Sequence, residues 1–204
     1  NGRGLIGVAA SDGTIAAINA VNGSLVYRVR RDERVFSSPV FLTPELLVVG
    51  THSGNVIGFG PDGRAVFERN LGAPIDGPLT RSADGQFVLV PAAGVHAIDR
   101  NGQTVFQVAT GGNLTACITS LSSAPESWIV PTVDGRLVAF GPRGVNWEAS
   151  LGSSVDGCPA VANDGTIYVG TDTGELLALN ASDRSIRFRY RTEGPIRTTP
   201  AILN

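Results

Sequence analysis

The stretch Gly165-Thr-Ile-Tyr-Val-Gly-Thr-Asp-Thr-Gly-Glu-Leu-Leu-Ala-Leu-Asn-Ala-Ser-Asp-Arg-Ser-Ile-Arg-Phe188 decides how the chain is read. Residues 166–171 are rich in β-branched and aromatic side chains and predict a short strand. Asp172-Thr173-Gly174 predicts a tight turn, and 176–179 a second apolar strand. Residues 195–203, Pro-Ile-Arg-Thr-Thr-Pro-Ala-Ile-Leu, lead into the first strand of another group.

Outward from this stretch the same pattern recurs. Residues 6–10 form a strand, 11–13 its turn, 14–18 the return, 19–23 another turn and 25–29 a further strand. Residues 35–42 then open the next group, and the first hairpin is repeated at 46–54, 87–94, 128–135 and 167–174. Two landmarks keep the same register. The first-turn glycine falls at Gly13, Gly54, Gly94, Gly135 and Gly174, in steps of 41, 40, 41 and 39, and an aromatic falls at Tyr27, Phe67, Phe106, Trp147 and Phe188, in steps of 40, 39, 41 and 41. A period near forty residues with four short strands per unit is the signature of a β-propeller, in the manner of WD40 repeats. Each glycine supplies the positive φ that a two-residue hairpin turn requires. Each aromatic covers the gap between neighbouring sheets, because one blade cannot bury both of its faces alone.

Composition agrees with an all-β domain. The 204 residues include 26 Gly and 12 Pro, many in Asp-Gly and Asn-Gly pairs, and 42% are hydrophobic, enough for a packed core. No amphipathic helix of useful length and no apolar run long enough to cross a bilayer appears. The formal net charge of −2 argues against a generally basic surface for nucleic acid. All sixteen cations are Arg and there is no Met.

Residues 17–23, Ala-Ile-Asn-Ala-Val-Asn-Gly, with Tyr27, and residues 178–184, Ala-Leu-Asn-Ala-Ser-Asp-Arg, with Phe188, resemble the repeat of pyrroloquinoline-quinone-like (PQQ-like) propellers. In that repeat a small residue, Asp or Asn, Ala, a turn glycine and a tryptophan recur at this spacing. Residues 165–171 and 37–40 resemble two further pieces of it, and the likeness covers nearly the whole chain. It departs in having Trp only at Trp147, in placing Arg184 where the turn glycine belongs, and in shortening units two to four before their second turns.

The expected architecture is one domain over 1–204, a five-bladed propeller of four-stranded antiparallel blades. Closure is expected through pairing of a C-terminal strand, 198–203, with the N-terminal strand, 5–10, which removes two exposed sheet edges. The alternative is a segment of a larger propeller of seven or eight blades, since quinoprotein dehydrogenases and the outer-membrane assembly lipoproteins of the family have more blades.

Candidate site residues follow from the innermost strands, which line a propeller's channel. Alternation along the segments leading into them selects Phe36, Asp76, Thr115, Asp156 and Arg197 as a polar mouth for a small ligand or ion. Cys117 and Cys158 occupy one position in adjacent repeats, so a bridge between blades needs a channel radius of roughly 4–6 Å; two buried free thiols are the alternative. A bridge fits an oxidising, periplasmic or extracellular compartment. Arg28 and Arg30 on one outer strand, with Arg187, Arg189 and Arg191 on another, form a candidate patch for an anionic partner, or else charges that protect strand edges.

No nucleophile, base and orienting partner stand together, and His52 and His96 fall singly in different units, read as surface residues. No catalytic residue, metal site or cofactor is therefore assigned. The PQQ-like resemblance implies a quinone cofactor with calcium and a vicinal disulfide, but the two cysteines are 41 apart and no matching metal-binding segment is present. The expected function is a non-catalytic, monomeric scaffold or sensor module within a larger extracytoplasmic protein, binding a protein or small ligand at a propeller face. A quinoprotein-type dehydrogenase domain is the alternative.

Overall fold

Runs such as 46–50, Leu-Leu-Val-Val-Gly, are apolar at every position, and a strand with no polar side must be covered on both faces. The computed structural model shows how. It describes residues 4–114, 117–121 and 126–203, among which there are strands and turns and no helix. The chain divides into two compact units, 1–107 and 108–204.

The first unit holds three antiparallel meanders. The first sheet is β1 (Leu5–Ala9), β2 (Thr14–Asn19) and β3 (Leu25–Arg30). The second is β4 (Val40–Thr43), β5 (Leu46–Gly50), β6 (Asn55–Phe59) and β7 (Ala65–Asn70). The third is β8 (Thr80–Arg81), β9 (Phe87–Ala92), β10 (Gly94–Asp99) and β11 (Thr104–Val108). The second unit holds β12 (Thr119–Ser120), β13 (Trp128–Pro131), β14 (Arg136–Gly141) and β15 (Gly144–Ser150), then β16 (Ala160–Val161), β17 (Thr166–Gly170), β18 (Glu175–Asn180) and β19 (Ile186–Arg191). Among the described residues there are thus five antiparallel sheets, four of four strands and one of three.

The second sheet shows the packing rule. Leu47, Val49, Ile57 and Phe59 face the first sheet and pack with Ile15, Tyr27 and Val29. Their neighbours Leu46, Val48 and Val56 face the third sheet and pack with Val88, Val90 and Ile98. In the second unit Ile129, Leu137 and Ala139 meet Ile167, Val169, Leu177 and Leu179, with Trp147 packed alongside. Burying such a side chain contributes about 1.5–3 kcal/mol, so the sheet-to-sheet contacts hold each unit together.

The five landmark glycines all have positive φ, between 78° and 115°, and Arg184, at the position of a turn glycine, has φ 63°. The aromatic landmarks sit opposite small residues, Ala17 with Tyr27, Gly58 with Phe67, Ala139 with Trp147 and Ala178 with Phe188, and in each of these sheets the register shifts immediately after the small residue. This repeated β-bulge lets the ring lie over a position without bulk.

The strand expected over 198–203 does not form, and β1 pairs with β2. A second difference concerns His96. It lies on β10, is 7% exposed, and is not a surface residue.

Candidate functional site

Two first-hairpin turns, one in each unit, are gripped by backbone hydrogen bonds from the loops on either side of their sheet. In the first unit His52 N–H donates to the Arg34 carbonyl at 2.9 Å, and Ile75 N–H to the Thr51 carbonyl at 3.0 Å. In the second, Asp172 N–H donates to the Ser154 carbonyl and Ile196 N–H to the Thr171 carbonyl, both at 3.0 Å. Glu33 reinforces the first of these, accepting from Thr51 Oγ1 and Asn55 Nδ2 at 2.8 Å each. Ser37 extends the strand ladder beyond the start of β4: its Oγ accepts from Gly50 N–H at 2.9 Å and donates to the Gly50 carbonyl at 2.7 Å. These anchors hold the side chains that depart from the repeat at the loop surface.

Two clusters result, one in each unit. In the first, the Phe36 ring stands edge-on to the His52 ring with centroids 5.7 Å apart. His52 Nδ1 lies 3.0 Å from Asp76 Oδ1 and 3.2 Å from Oδ2. In the second, Arg197 Nε donates to Asp172 Oδ1 at 3.2 Å and lies 3.4 Å from Asp156 Oδ2, while Ser154 Oγ donates to Asp172 Oδ2 at 2.6 Å. The Ser154 hydrogen bond, with the Arg197 guanidinium behind it, holds the Asp172 carboxyl below its usual range. Half of Phe36 is exposed, and Asp76 and Arg197 are also open to solvent.

The structure thus joins Phe36 to Asp76 through His52, and Asp156 to Arg197. Thr115 lies outside the described residues. Ser154 was not singled out in the sequence; His52 is read there as a surface residue and Asp172 as part of a turn, each two residues before a landmark glycine. A His–Asp pair is one part of acid–base machinery, and among the described residues no hydroxyl or thiol is hydrogen-bonded to His52.

Cys117 and Cys158 form a disulfide with Cα atoms 5.0 Å apart, joining the segments that lead into β12 and β16. Thr119 Oγ1 donates to the Pro159 carbonyl at 3.1 Å beside it. Among the arginines, Arg187 pairs with Asp164 at 2.8 Å and Arg189 with Glu175 at 2.9 Å, so two cations of β19 are partly neutralised. Arg28, Arg30 and Arg191 make no salt bridge to a described residue. No group of three or more His, Cys, Asp or Glu among the described residues is placed to hold a metal ion.

At the other end of β5, away from His52, the first unit has an open cleft of about 540 Å³. Pro44, Leu46, Pro61 and Val66 form its apolar wall, and Glu45 and Arg100 bring charges of opposite sign.

Comparison with known proteins places this arrangement. A solved structure of BamB from Moraxella catarrhalis superposes with a TM-score of 0.77 at 21% identity, over 99% of this chain and 65% of that one. The beta-alanine-activating enzyme of Drosophila melanogaster is 27% identical over 199 residues, which is 93% of this chain and 20% of that protein. The chain therefore spans about two thirds of the solved relative and one fifth of the curated one. The PQQ-like family described as outer membrane protein assembly factor BamB matches residues 11–154 and 133–204. With nearly every residue inside that match, the chain belongs to this PQQ-like β-propeller family.

Proposed function

We propose that the chain is a non-catalytic propeller module that binds a protein or small ligand through its loop clusters, as part of a larger extracytoplasmic protein. The observation that carries this reading is that Phe36 and Asp76 in one unit and Asp156 and Arg197 in the other, with their partners His52 and Asp172, are gathered at backbone-anchored turns of the loop surface, where all but the half-buried Asp172 are exposed. Rigid sheets that present variable loops are a general way of building recognition surfaces. The extracytoplasmic placement is supported by the Cys117–Cys158 disulfide and by the outer-membrane description of the family.

The test is affinity capture with the 204-residue chain. Phe36→Ala with Asp76→Asn, and separately Arg197→Gln, are expected to lose a partner that Arg187→Gln with Arg189→Gln retains. Capture unaffected by the loop variants refutes the assignment, and loss only in the β19 variants moves the surface to the arginines.

A quinone with calcium is the cofactor that the wider family implies, and the residues present do not fit it. The disulfide joins the segments leading into two different sheets and is not vicinal, and no group of three or more His, Cys, Asp or Glu among the described residues is placed as a ligand set. Added pyrroloquinoline quinone and calcium are expected to cause no spectral change; dye reduction by the loaded protein would restore the dehydrogenase reading. The curated relative is an enzyme by name, and the match to a fifth of its length is compatible with a binding segment appended to catalytic parts.

A further inference from the structure

The open cleft of the first unit is built at three turns from two sheets: 43–45 between β4 and β5, 60–63 between β6 and β7, and 99–102 between β10 and β11. The first of these turns breaks the repeat. Counted back from the landmark glycines Gly54, Gly94 and Gly174, the positions of Pro44 and Glu45 are filled by Asp84 and Gly85 in the third sheet and by Asp164 and Gly165 in the fifth. An ordinary turn pair is replaced by a rigid ring and an anion.

The walls of the cleft are fixed from within. Glu45 N–H donates to Thr43 Oγ1 at 3.3 Å. In the second turn Gly63 N–H donates to the Gly60 carbonyl, and Arg64 N–H to Asp62 Oδ1, both at 3.0 Å. In the third, Asp99 Oδ1 accepts from the N–H groups of Asn101 and Gln103 at 2.9 and 2.8 Å. Aromatic landmarks hold two of the turns from behind: a Cβ on Gly63 would sit 2.8 Å from Tyr27 Cδ2, and one on Gly102 would sit 2.6 Å from Phe67 Cγ. Arg69 Nη1 also donates to the Gly102 carbonyl at 3.4 Å. The cleft is thus formed in advance, and a ligand entering it has little protein to order.

Its surface has three chemical parts. Pro44, Pro61 and Val66, the last 60% exposed, make an apolar wall with the buried Leu46. Glu45 supplies a negative charge and Arg100 a positive one, and both are exposed. Neither makes a salt bridge to a described residue, the other included, while Asp62 and Arg64 of the second turn pair with each other at 3.4 Å. A ligand of one sign would satisfy one of the two charges and be repelled by the other. A neutral apolar ligand would cover both without pairing either. An ammonium and a carboxylate joined by an aliphatic body satisfy all three parts. The volume of about 540 Å³ is that of a small-molecule site, for which about 300–1,000 Å³ is usual.

We propose that this cleft binds a short aliphatic peptide with free termini, its ammonium facing Glu45, its carboxylate facing Arg100 and its side chains against Pro44, Pro61 and Val66. The site is separate from the Phe36, His52 and Asp76 cluster at the other end of β5, and it does not depend on the binding role given to that cluster.

Titration of the isotope-labelled 204-residue chain with the dipeptide valyl-leucine, followed by amide chemical shifts, tests the proposal. Shifts are expected at 43–46, 60–66 and 100–101 and not at 34–37, 52 or 76. The same dipeptide acetylated and amidated at its ends is expected to bind at least about threefold more weakly, as is the free dipeptide in Arg100→Gln or Glu45→Gln. Added salt should weaken the free dipeptide and leave the blocked one unchanged. Val66→Ser should weaken both. All three substituted residues are exposed, so amide spectra away from the cleft should match the parent. Phe36→Ala with Asp76→Asn should leave dipeptide binding intact, which separates failure of this site from failure of the loop cluster. No shift at the cleft at millimolar dipeptide overturns the proposal, and equal affinity for free and blocked dipeptides overturns the pairing with Glu45 and Arg100. Free valine binding as tightly as the dipeptide overturns the assignment to a peptide.

Discussion

Replacing Ser37 with alanine removes one buried hydroxyl and leaves two backbone groups without partners. Ser37 is 3% exposed, and its Oγ serves the N–H and the carbonyl of Gly50, at 2.9 and 2.7 Å, where β4 has not yet begun to pair with β5. Water does not readily reach the site, because Gly50 is buried and Ile75 lies so close that a Cβ on Gly50 would be 2.2 Å from Ile75 Cγ2. A buried backbone group deprived of its partner costs about 1–3 kcal/mol, so two together predict a loss of roughly 2–6 kcal/mol. For a chain of this length that corresponds to a fall of roughly 4–24 °C in melting temperature. Urea unfolding and calorimetry of Ser37→Ala give the measurement, with exposed Ser38→Ala as the control, expected within about 0.5 kcal/mol of the parent. Amide exchange at Gly50 should accelerate in Ser37→Ala alone. A Ser37→Ala protein within about 0.5 kcal/mol of the parent would refute the idea that this hydroxyl stands in for a missing strand partner.

Other expectations follow from single features. Arg184 carries φ 63° in a turn that elsewhere uses glycine, so Arg184→Gly should raise stability by about 1 kcal/mol in denaturant unfolding; a loss would show that the arginine makes a compensating contact. Removing the disulfide with Cys117→Ser and Cys158→Ser should destabilise the second unit by roughly 2–4 kcal/mol, the range for a closed loop of about 41 residues, and the unfolded parent should titrate no free thiol without reductant. Burial, reinforced by the nearby Arg69 charge, depresses the pKa of His96 below 6.5. The unfolded chain then binds the extra proton first, so the contribution of neutral His96 is complete above about pH 6.5 and is lost as pH falls through that value towards the folded pKa. Melting temperature should therefore drop between about pH 7.5 and 5, and less so in His96→Gln. Asp164 is held at about 2 by hydrogen bonds from the Thr166 hydroxyl and backbone and then by Arg187. Its carboxyl should stay ionised in an NMR titration until well below pH 3.8, and Thr166→Val should move the midpoint upward.

The repeat was readable because its determinants are local. Gly13, Gly54, Gly94, Gly135 and Gly174 were identified by spacing alone and all have positive φ, and Arg184 was recognised as a substitute for a turn glycine and adopts that conformation. The bulges after Ala17, Gly58, Ala139 and Ala178 left no such mark, since one extra residue in a strand changes neither its composition nor its period. His96 was misread because a lone polar residue within an apolar run has the same sequence signature whether it faces solvent or the adjoining sheet. Asp76 and Arg197 stood out as departures from the repeat, but their partners His52 and Asp172 lie in turns whose composition is ordinary.

The sequence by itself determined the all-β class, the forty-residue period, the places where the chain turns and the PQQ-like family, because hairpin turns and alternating strands are encoded within a few adjacent residues. Only the tertiary structure decided that 198–203 forms no strand, that His52 meets Asp76 and Arg197 meets Asp172, and that Phe188 is exposed while Tyr27 is covered. Those outcomes depend on which sheet faces another and on loops some 24 or 25 residues apart being drawn to one turn, and such contacts are properties of stacked sheets rather than of any one stretch of chain.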